Sequence, residues 1–259
     1  MAETIPSSSH RITNDVIWNL ILKRITPDSI VLDFGAGRGH MAQRLGSFFQ
    51  ENGRSPREHL TACDIEPAFF QYKEISCLKI GIHSEIPVPD QSQDLIYAIE
   101  VLEHVPRPYD FFHLAHAKLK PGGALLFSVP NILHLLSRLR FLLTGSAELF
   151  GPPSLLDQDA GRICGHIMPL GFPFYVYGLK KAGFEEIQFH ADRWKRGSFI
   201  PSLLFFPILR LFTRLALSNL KKYDMEVFRQ TAWIVDRINQ LDILSSRSCI
   251  LMALKPSTP

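Results

Sequence analysis

Apolar positions along the chain fall into short blocks that alternate between two spacings. In residues 10–25, Val16, Ile17, Leu20, Ile21 and Ile25 recur at close to helical spacing and predict a helix. Residues 29–35 (SIVLDFG) form a continuous apolar run stopped by glycine, as expected of a buried strand. Residues 38–50 then read as a helix, 59–65 (HLTACDI) as a second strand, 75–82 as a third and 93–100 (QDLIYAIE) as a fourth. A helix over 107–120, closed by Pro121-Gly122-Gly123, precedes a fifth strand at 124–131. Further on, 172–184 predicts a helix with a glycine stop, 185–191 a strand, 226–241 a helix, and 245–255 a last strand. This alternation through about residue 130 argues for an α/β fold with a parallel sheet and crossover helices. Residues 1–9 are polar and predict a frayed end.

Composition narrows the class. The chain has 259 residues, 46% hydrophobic and 20% charged, enough for one large α/β domain with a sizeable core. The formal net charge is +3, too small to argue for nucleic acid. Cys63, Cys77, Cys164 and Cys249 show neither a CxxC pair nor zinc spacing, which suits reduced thiols in a cytoplasmic setting. The N-terminal residues lack the charged and apolar regions of a secretory signal.

Two stretches are unusually apolar, 131–145 (NILHLLSRLRFLLTG) and 198–222 (SFIPSLLFFPILRLFTRLALSNLKK). Within the second, the uncharged run 197–209 contains Pro201 and Pro207 and is too short to span a bilayer, which needs roughly 20 residues. Arg210 and Arg214, four apart, would share one helix face. Such a helix either lies in a membrane interface, peripheral to the inner membrane, or closes as a lid over a pocket, or forms a dimer contact; monomer and homodimer are both open.

The chemistry concentrates at two strand ends. VLDFGAGRGH places Asp33 before Gly35, Ala36, Gly37 and Gly39 in a strand-to-helix loop, where glycine permits positive φ and close approach of a ligand. His40 occupies the third glycine position of a dinucleotide fingerprint, and Asp33 would repel a pyrophosphate, so NAD is disfavoured and a cationic ligand favoured. The fourth strand ends in Glu100, followed by Glu103 and His104, which share a face if the chain turns helically. One reading makes these structural, with His104 orienting the loop and Glu103 capping the next helix, which Pro106 and Pro108 would start. Another makes Glu103 or His104 a general base. A third makes them metal ligands. His113 and His116 read as surface residues, and His134 and His190 as histidines without an evident partner.

With Asp64 ending the second strand and LKPGGALLFSVPN forming the fifth, the chain resembles the class I S-adenosylmethionine (SAM)-dependent methyltransferases over roughly residues 25–190. PVPDQSQDLIYAIEVLEHV, GHIMPL and KKAGFEEI place it nearest the type 11/23-like branch, related to the ubiquinone-pathway O-methyltransferases. The resemblance implies a Rossmann-like, doubly wound, seven-stranded sheet, mostly parallel with one antiparallel strand, plus an apolar helical insertion or lid. It implies one domain over 1–259, with a SAM-binding core at 25–130 and acceptor-side or membrane-facing insertions at 131–168 and 197–222. Asp33, Gly35, Ala36, Gly37 and Gly39 would line the methionine moiety, Asp64 with Ile65 would hold ribose and adenine, and Glu100 would border the cofactor. Relatives carry an adenine-contacting acid near residues 81–83. Here Gly81, Ile82 and His83 offer no carboxylate, leaving backbone or His83 for that contact. Glu-x-x-Glu-His is also similar to the metal-binding segment of the ubiquinone-pathway enzymes and of small-RNA 3′-terminal 2′-O-methyltransferases. By that likeness Glu100, Glu103, His104 and His166 would hold a divalent metal. The implied reaction is O-methylation of a small or lipid-linked hydroxylated acceptor, a sugar or quinone-like phenol. An RNA 2′-O-methyltransferase and a non-catalytic SAM-binding protein are the alternatives.

Overall fold

The computed structural model describes residues 4–81, 85–152, 165–193 and 196–257. In chain order the elements are α1 (Arg11–Leu22), β1 (Val31–Phe34), α2 (His40–Glu51), α3 (Pro56–His59), β2 (Leu60–Asp64), β3 (Cys77–Lys79), β4 (Gln93–Ile99), α4 (Pro108–Lys118), β5 (Leu119–Pro130), α5 (Leu135–Thr144), α6 (Phe172–Lys181), β6 (Glu185–Ala191), α7 (Arg196–Tyr223), α8 (Met225–Arg237), α9 (Leu241–Ser245) and β7 (Ser248–Leu254). The strands form one sheet of order β3-β2-β1-β4-β5-β7-β6. All neighbouring pairs are parallel except those of β7, which runs antiparallel to both β5 and β6. The chain moves outward from β1 to β3, then returns to the other side of β1 with β4. That reversal opens a crevice at the carboxyl ends of β1 and β4, the usual place for a ligand in a doubly wound sheet.

Alternation along the strands sends side chains to two cores. Leu32, Phe34, Ile96 and Phe127 pack against Phe111, Phe112 and Ala115 of α4 and Tyr175, Val176 and Leu179 of α6. Val31, Leu95, Tyr97 and Leu126 face the other way, onto Ile17, Leu20 and Ile21 of α1 and Ala42, Leu45 and Phe49 of α2. Both faces of β1 and β4 are therefore covered, which is why their sequences read as unbroken apolar runs.

Three elements differ from expectation. Leu119–Gly123 belongs to β5 rather than to the end of a helix, and the Pro-Gly-Gly is absorbed as a register shift, Gln93 pairing Leu119 while Leu95 pairs Ala124. Residues 4–9 are tied down rather than frayed. The Ile5 N–H donates to Gln43 Oε1 at 2.9 Å, the Ile5 carbonyl meets His40 Nδ1 at 2.7 Å, and Asn14 Nδ2 donates to Ser7 Oγ at 2.6 Å. The short apolar run at 197–209 is part of a 28-residue helix, α7, that continues through Pro201 and Pro207. Its stretch Phe199–Tyr223 is long and apolar enough to cross a membrane by length and composition, with mean hydropathy 1.6.

The other histidines and cysteines are placed as follows. His113 is exposed, whereas His116 is half-buried and packs edge-on against Phe184. His134 is not without a partner. It is buried, caps α5 by accepting the Ser137 N–H, and lies 3.1 Å from Glu148 Oε2. The His190 Nε2 is buried without a hydrogen-bond partner. Cys63, Cys77 and Cys249 are free thiols, and Cys164 lies outside the described residues.

Candidate active site

Five loop residues, Gly35 to Gly39, turn the chain from β1 into α2. Gly35, Gly37 and Gly39 all have positive φ, +75°, +53° and +87°. A Cβ on Gly35 would stand 2.5 Å from Val101 Cγ2 and one on Gly39 2.7 Å from the Phe70 ring, so those two glycines allow close packing. Gly37 meets nothing within 4 Å, so its open side faces the crevice. The Gly35 and Ala36 N–H groups donate to the Cys63 carbonyl at 2.9 and 3.1 Å, pinning the loop to β2. Asp64 closes the arrangement, its Oδ2 accepting from Gly37 N–H and its Oδ1 from Glu66 N–H, both at 2.8 Å. Each carboxylate oxygen keeps a second lone pair for a ligand hydroxyl. Ile65, next to Asp64, is half-buried against the core.

Asp33 is 3% exposed, and its Oδ2 has no hydrogen-bond partner. Burial pushes its carboxyl up to about 7, with the Tyr97 hydroxyl opposing and the Asp64 charge adding to the shift. A cation at this position would favour the ionised form. The loop and its neighbours line a cavity of about 430 Å³ that also touches Glu100, Glu103, His104 and His166. Sequence reasoning missed part of this wall. Ser7, Ser9, His10, Arg38, Leu149 and Arg247 line it as well. The signal available was the Ile5-Pro6 pair inside an otherwise polar arm, which buries Ile5 and brings the serines over the crevice.

Beyond β4, Glu100 adopts φ +53°, and its N–H donates to the Ser128 carbonyl at 3.0 Å. Burial raises its carboxyl, opposed by the Ser128 hydroxyl. The chain then makes a single 3₁₀ turn, Leu102–His104, and Pro108 takes the first position of α4, as its fixed φ allows. Glu103 is fully buried, and neither carboxylate oxygen has a hydrogen-bond partner. Burial, reinforced by the Glu100 charge, drives its carboxyl well above the usual range. Its carbonyl accepts the Ile167 and Met168 N–H groups at 3.0 and 3.1 Å, which draws the segment carrying His166 onto the turn. His166 Nε2 lies 3.9 Å from Glu103 Oε1, and its ring packs edge-on against His104 at 4.9 Å between centroids. His104 Nδ1 bonds the Gly165 carbonyl at 2.9 Å, leaving Nε2 as its free ring nitrogen. Burial and the neighbouring His104 lower the His166 pKa.

Donor atoms of Glu103, His104 and His166 all lie within 4.8 Å of one another. Glu100, expected as a fourth ligand, stands outside that group because its left-handed backbone turns it toward Ser128. Near residue 81, where the sequence offered no acid, a carboxylate folds back onto the chain. Glu85 Oε2 accepts the Gly81 N–H at 3.1 Å, while Ile82 and His83 lie outside the described residues. No described residue of α7 lines either this cavity or the apolar one beside α5.

Known proteins agree with this architecture. A family described as "Methyltransferase domain" matches residues 12–164. Among curated proteins, the ubiquinone biosynthesis O-methyltransferase of Salmonella newport is 30% identical over 112 residues, 39% of this chain and 42% of that protein, so the match spans under half the relative's length. Among solved structures, a SAM-dependent methyltransferase from Archaeoglobus fulgidus superposes with TM-score 0.57 at 16% identity, over 95% of each chain. An S-adenosylmethionine-dependent methyltransferase from Mesorhizobium loti gives TM-score 0.50 at 14% identity, over 94% of this chain and 100% of that one. Family match, sheet order and glycine loop converge: the chain belongs to the methyltransferase domain family, and its fold is that of the SAM-dependent methyltransferases it superposes on.

Proposed function

We propose that this enzyme moves the methyl group of SAM to a hydroxyl oxygen of a small or lipid-linked acceptor, a sugar or a quinone-like phenol. The observation that carries this reading is the position of His166. Its ring lines the donor-side cavity and also a second cavity, of about 490 Å³, walled by Leu133, Phe141, Ala147, Phe150 and Ile167. An acceptor with an apolar body would lie in the second cavity and present its hydroxyl to the Glu103–His104–His166 cluster, facing the donor. The likeness to a ubiquinone biosynthesis O-methyltransferase over part of the chain supports an oxygen nucleophile.

The sulfonium of SAM is already activated, so the protein's part is alignment, exclusion of water and removal of one proton. Asp33 and the open face of Gly37 would receive the cationic methionine end, and Asp64 the ribose hydroxyls. Glu103 and His104, with His166 beside them, are the groups within reach of the acceptor proton, and Glu100 forms the floor between donor and acceptor.

The same cluster favours a second form of the reading. A buried carboxylate with neither oxygen hydrogen-bonded, set beside two imidazoles, fits a divalent metal with mixed oxygen and nitrogen ligands. Glu103, His104 and His166 would hold it, and a metal there supplies Lewis acidity that lowers the pKa of a bound hydroxyl.

Methyl transfer from radiolabelled SAM, assayed on catechols with and without a prenyl tail, on glycolipids and on RNA, tests the acceptor. The expected result is label on a phenolic or sugar hydroxyl, greater with the tail attached. Label confined to RNA, or on no acceptor despite tight SAM binding, contradicts the reading. A parallel series with chelator separates the two forms: full turnover without metal eliminates the second.

A further inference from the structure

Helix α7 has its polarity reversed. Toward the body of the protein it presents polar groups: buried Ser202, whose hydroxyl donates to the Leu244 carbonyl at 3.2 Å, and buried Thr213, whose hydroxyl oxygen accepts from Asn239 Nδ2 at 2.7 Å. Arg210 pairs with Asp236 of α8 at 2.7 Å. Away from the body, Ile200, Leu204, Ile208, Leu211 and Leu215 recur at three- and four-residue steps and are all exposed, Leu204 to 71%. Over its most apolar window only 11% of the helix is buried. Beside its start lies α5, where Leu136 meets Gly197, and at the far end of α5 Leu142 and Leu143 are 79% and 81% exposed. A surface of this extent is far from the scattered apolar residues of an ordinary soluble face. Its larger part, α7, lies beyond the matched methyltransferase segment, which ends at residue 164 and includes α5.

Charge decides what covers it. Neither α5 nor α7 contains an acidic residue. Arg140 and Arg214 are exposed at the margins of the apolar stripe, and Lys221 and Lys222 are exposed where it ends, next to Tyr223. An apolar band edged by cations and closed by an aromatic residue matches the boundary between acyl chains and anionic headgroups. A second copy of this chain would bring the same cations against one another. A transmembrane orientation would carry Arg210 and Arg214 into hydrocarbon and strip α7 from α8, losing the Arg210–Asp236 pair.

We propose that the outward faces of α5 and α7 form a monotopic docking surface for an anionic lipid bilayer, with α7 lying in the plane of the interface. Phe141, on the same helix as Leu142 and Leu143, also lines the apolar cavity that ends at His166, so docking would set the mouth of that cavity at the lipid boundary. The docking itself does not depend on which acceptor is methylated.

Flotation of the full-length protein with phosphatidylcholine vesicles, with and without phosphatidylglycerol, tests it, alongside analytical ultracentrifugation without lipid. The expected result is flotation with the anionic vesicles that weakens at high salt. Leu204→Glu with Leu211→Glu, both on the solvent side of α7, should weaken partitioning by at least about tenfold per residue while leaving SAM affinity and far-UV circular dichroism unchanged. Arg214→Glu with Lys222→Glu, which leaves the apolar stripe intact, should weaken binding to anionic vesicles by about 30-fold or more and change binding to neutral vesicles little. Protein that remains at the bottom with anionic vesicles overturns the proposal. So does a discrete dimer that the leucine variants dissociate, which would identify a second copy as the occupant. Unaltered SAM binding in such an experiment would leave the methyltransferase assignment standing.

Discussion

Replacing Asp33 by asparagine separates the cost of burying this carboxyl from its use. The side chain is 3% exposed, and burial raises its pKa from 3.8 to about 7. The folded state therefore holds the proton more tightly than the unfolded chain. From pH 3.8 to about 7 this group makes the fold progressively less stable as pH rises, and above 7 its cost is complete. At about 1.4 kcal/mol per pH unit, the full cost is about 4 kcal/mol at pH 8 and about 2 kcal/mol at pH 5.5. The Asp33→Asn variant carries no such charge. In urea unfolding followed by circular dichroism it should exceed wild type in stability, by a margin about 2 kcal/mol larger at pH 8 than at pH 5.5. Binding of SAM should move the opposite way. Wild-type affinity, measured by calorimetry, should rise close to tenfold from pH 6 to 8 as the carboxyl ionises toward the cation, whereas the variant should bind more weakly and with little dependence on pH over that range. An equal stability margin at both pH values refutes the burial argument. An unchanged SAM affinity refutes the role of Asp33 toward the donor.

Other consequences follow from the same geometry. Gly35→Ala puts a methyl group into Val101 at positive φ and should cost about 2–4 kcal/mol, visible as a lowered Tm, whereas Gly53→Ala, at similar φ with nothing within 4 Å, should cost only about 1 kcal/mol. Asn14→Ala releases Ser7 and Ser9 from α1 and should lower stability by about 1–2 kcal/mol and weaken SAM binding several-fold, readable by calorimetry. Glu103→Gln removes a buried acid whose oxygens have no partners, so the variant should melt at or above the wild-type temperature while turnover falls about a hundredfold or more.

Much of the fold was legible because each central strand is buried on both faces and so writes itself as an apolar block. Val31–Phe34 and Leu95–Ala98 are examples, and the glycine loop between β1 and α2 announces its own backbone. Where side chains far apart in sequence decide the structure, the pattern was silent. Residues 4–9 look like a polar tail, yet His40, Gln43 and Asn14 fasten them over the crevice. Prolines at 201 and 207 suggest breaks, yet α7 runs on through both. The Glu-x-x-Glu-His segment announced chemistry but not its geometry. Spacing put Glu100 with Glu103 and His104, whereas the left-handed turn at Glu100 leaves Glu103, His104 and His166 as the convergent set. Glu85 was overlooked as the acid near Gly81 because it comes after that residue and folds back onto it.

The central claim is that the loop from Asp33 to Gly39, closed by Asp64, holds SAM. Its most direct test is calorimetric titration of S-adenosylhomocysteine into the folded protein and into the Asp64→Ala variant, with NAD⁺ as the comparison ligand. The account predicts saturable one-to-one binding by wild type, a loss of at least about tenfold in the variant as two hydroxyl-to-carboxylate hydrogen bonds disappear, and no heat from NAD⁺. Saturable binding of NAD⁺, or none of S-adenosylhomocysteine at millimolar concentration, would contradict it.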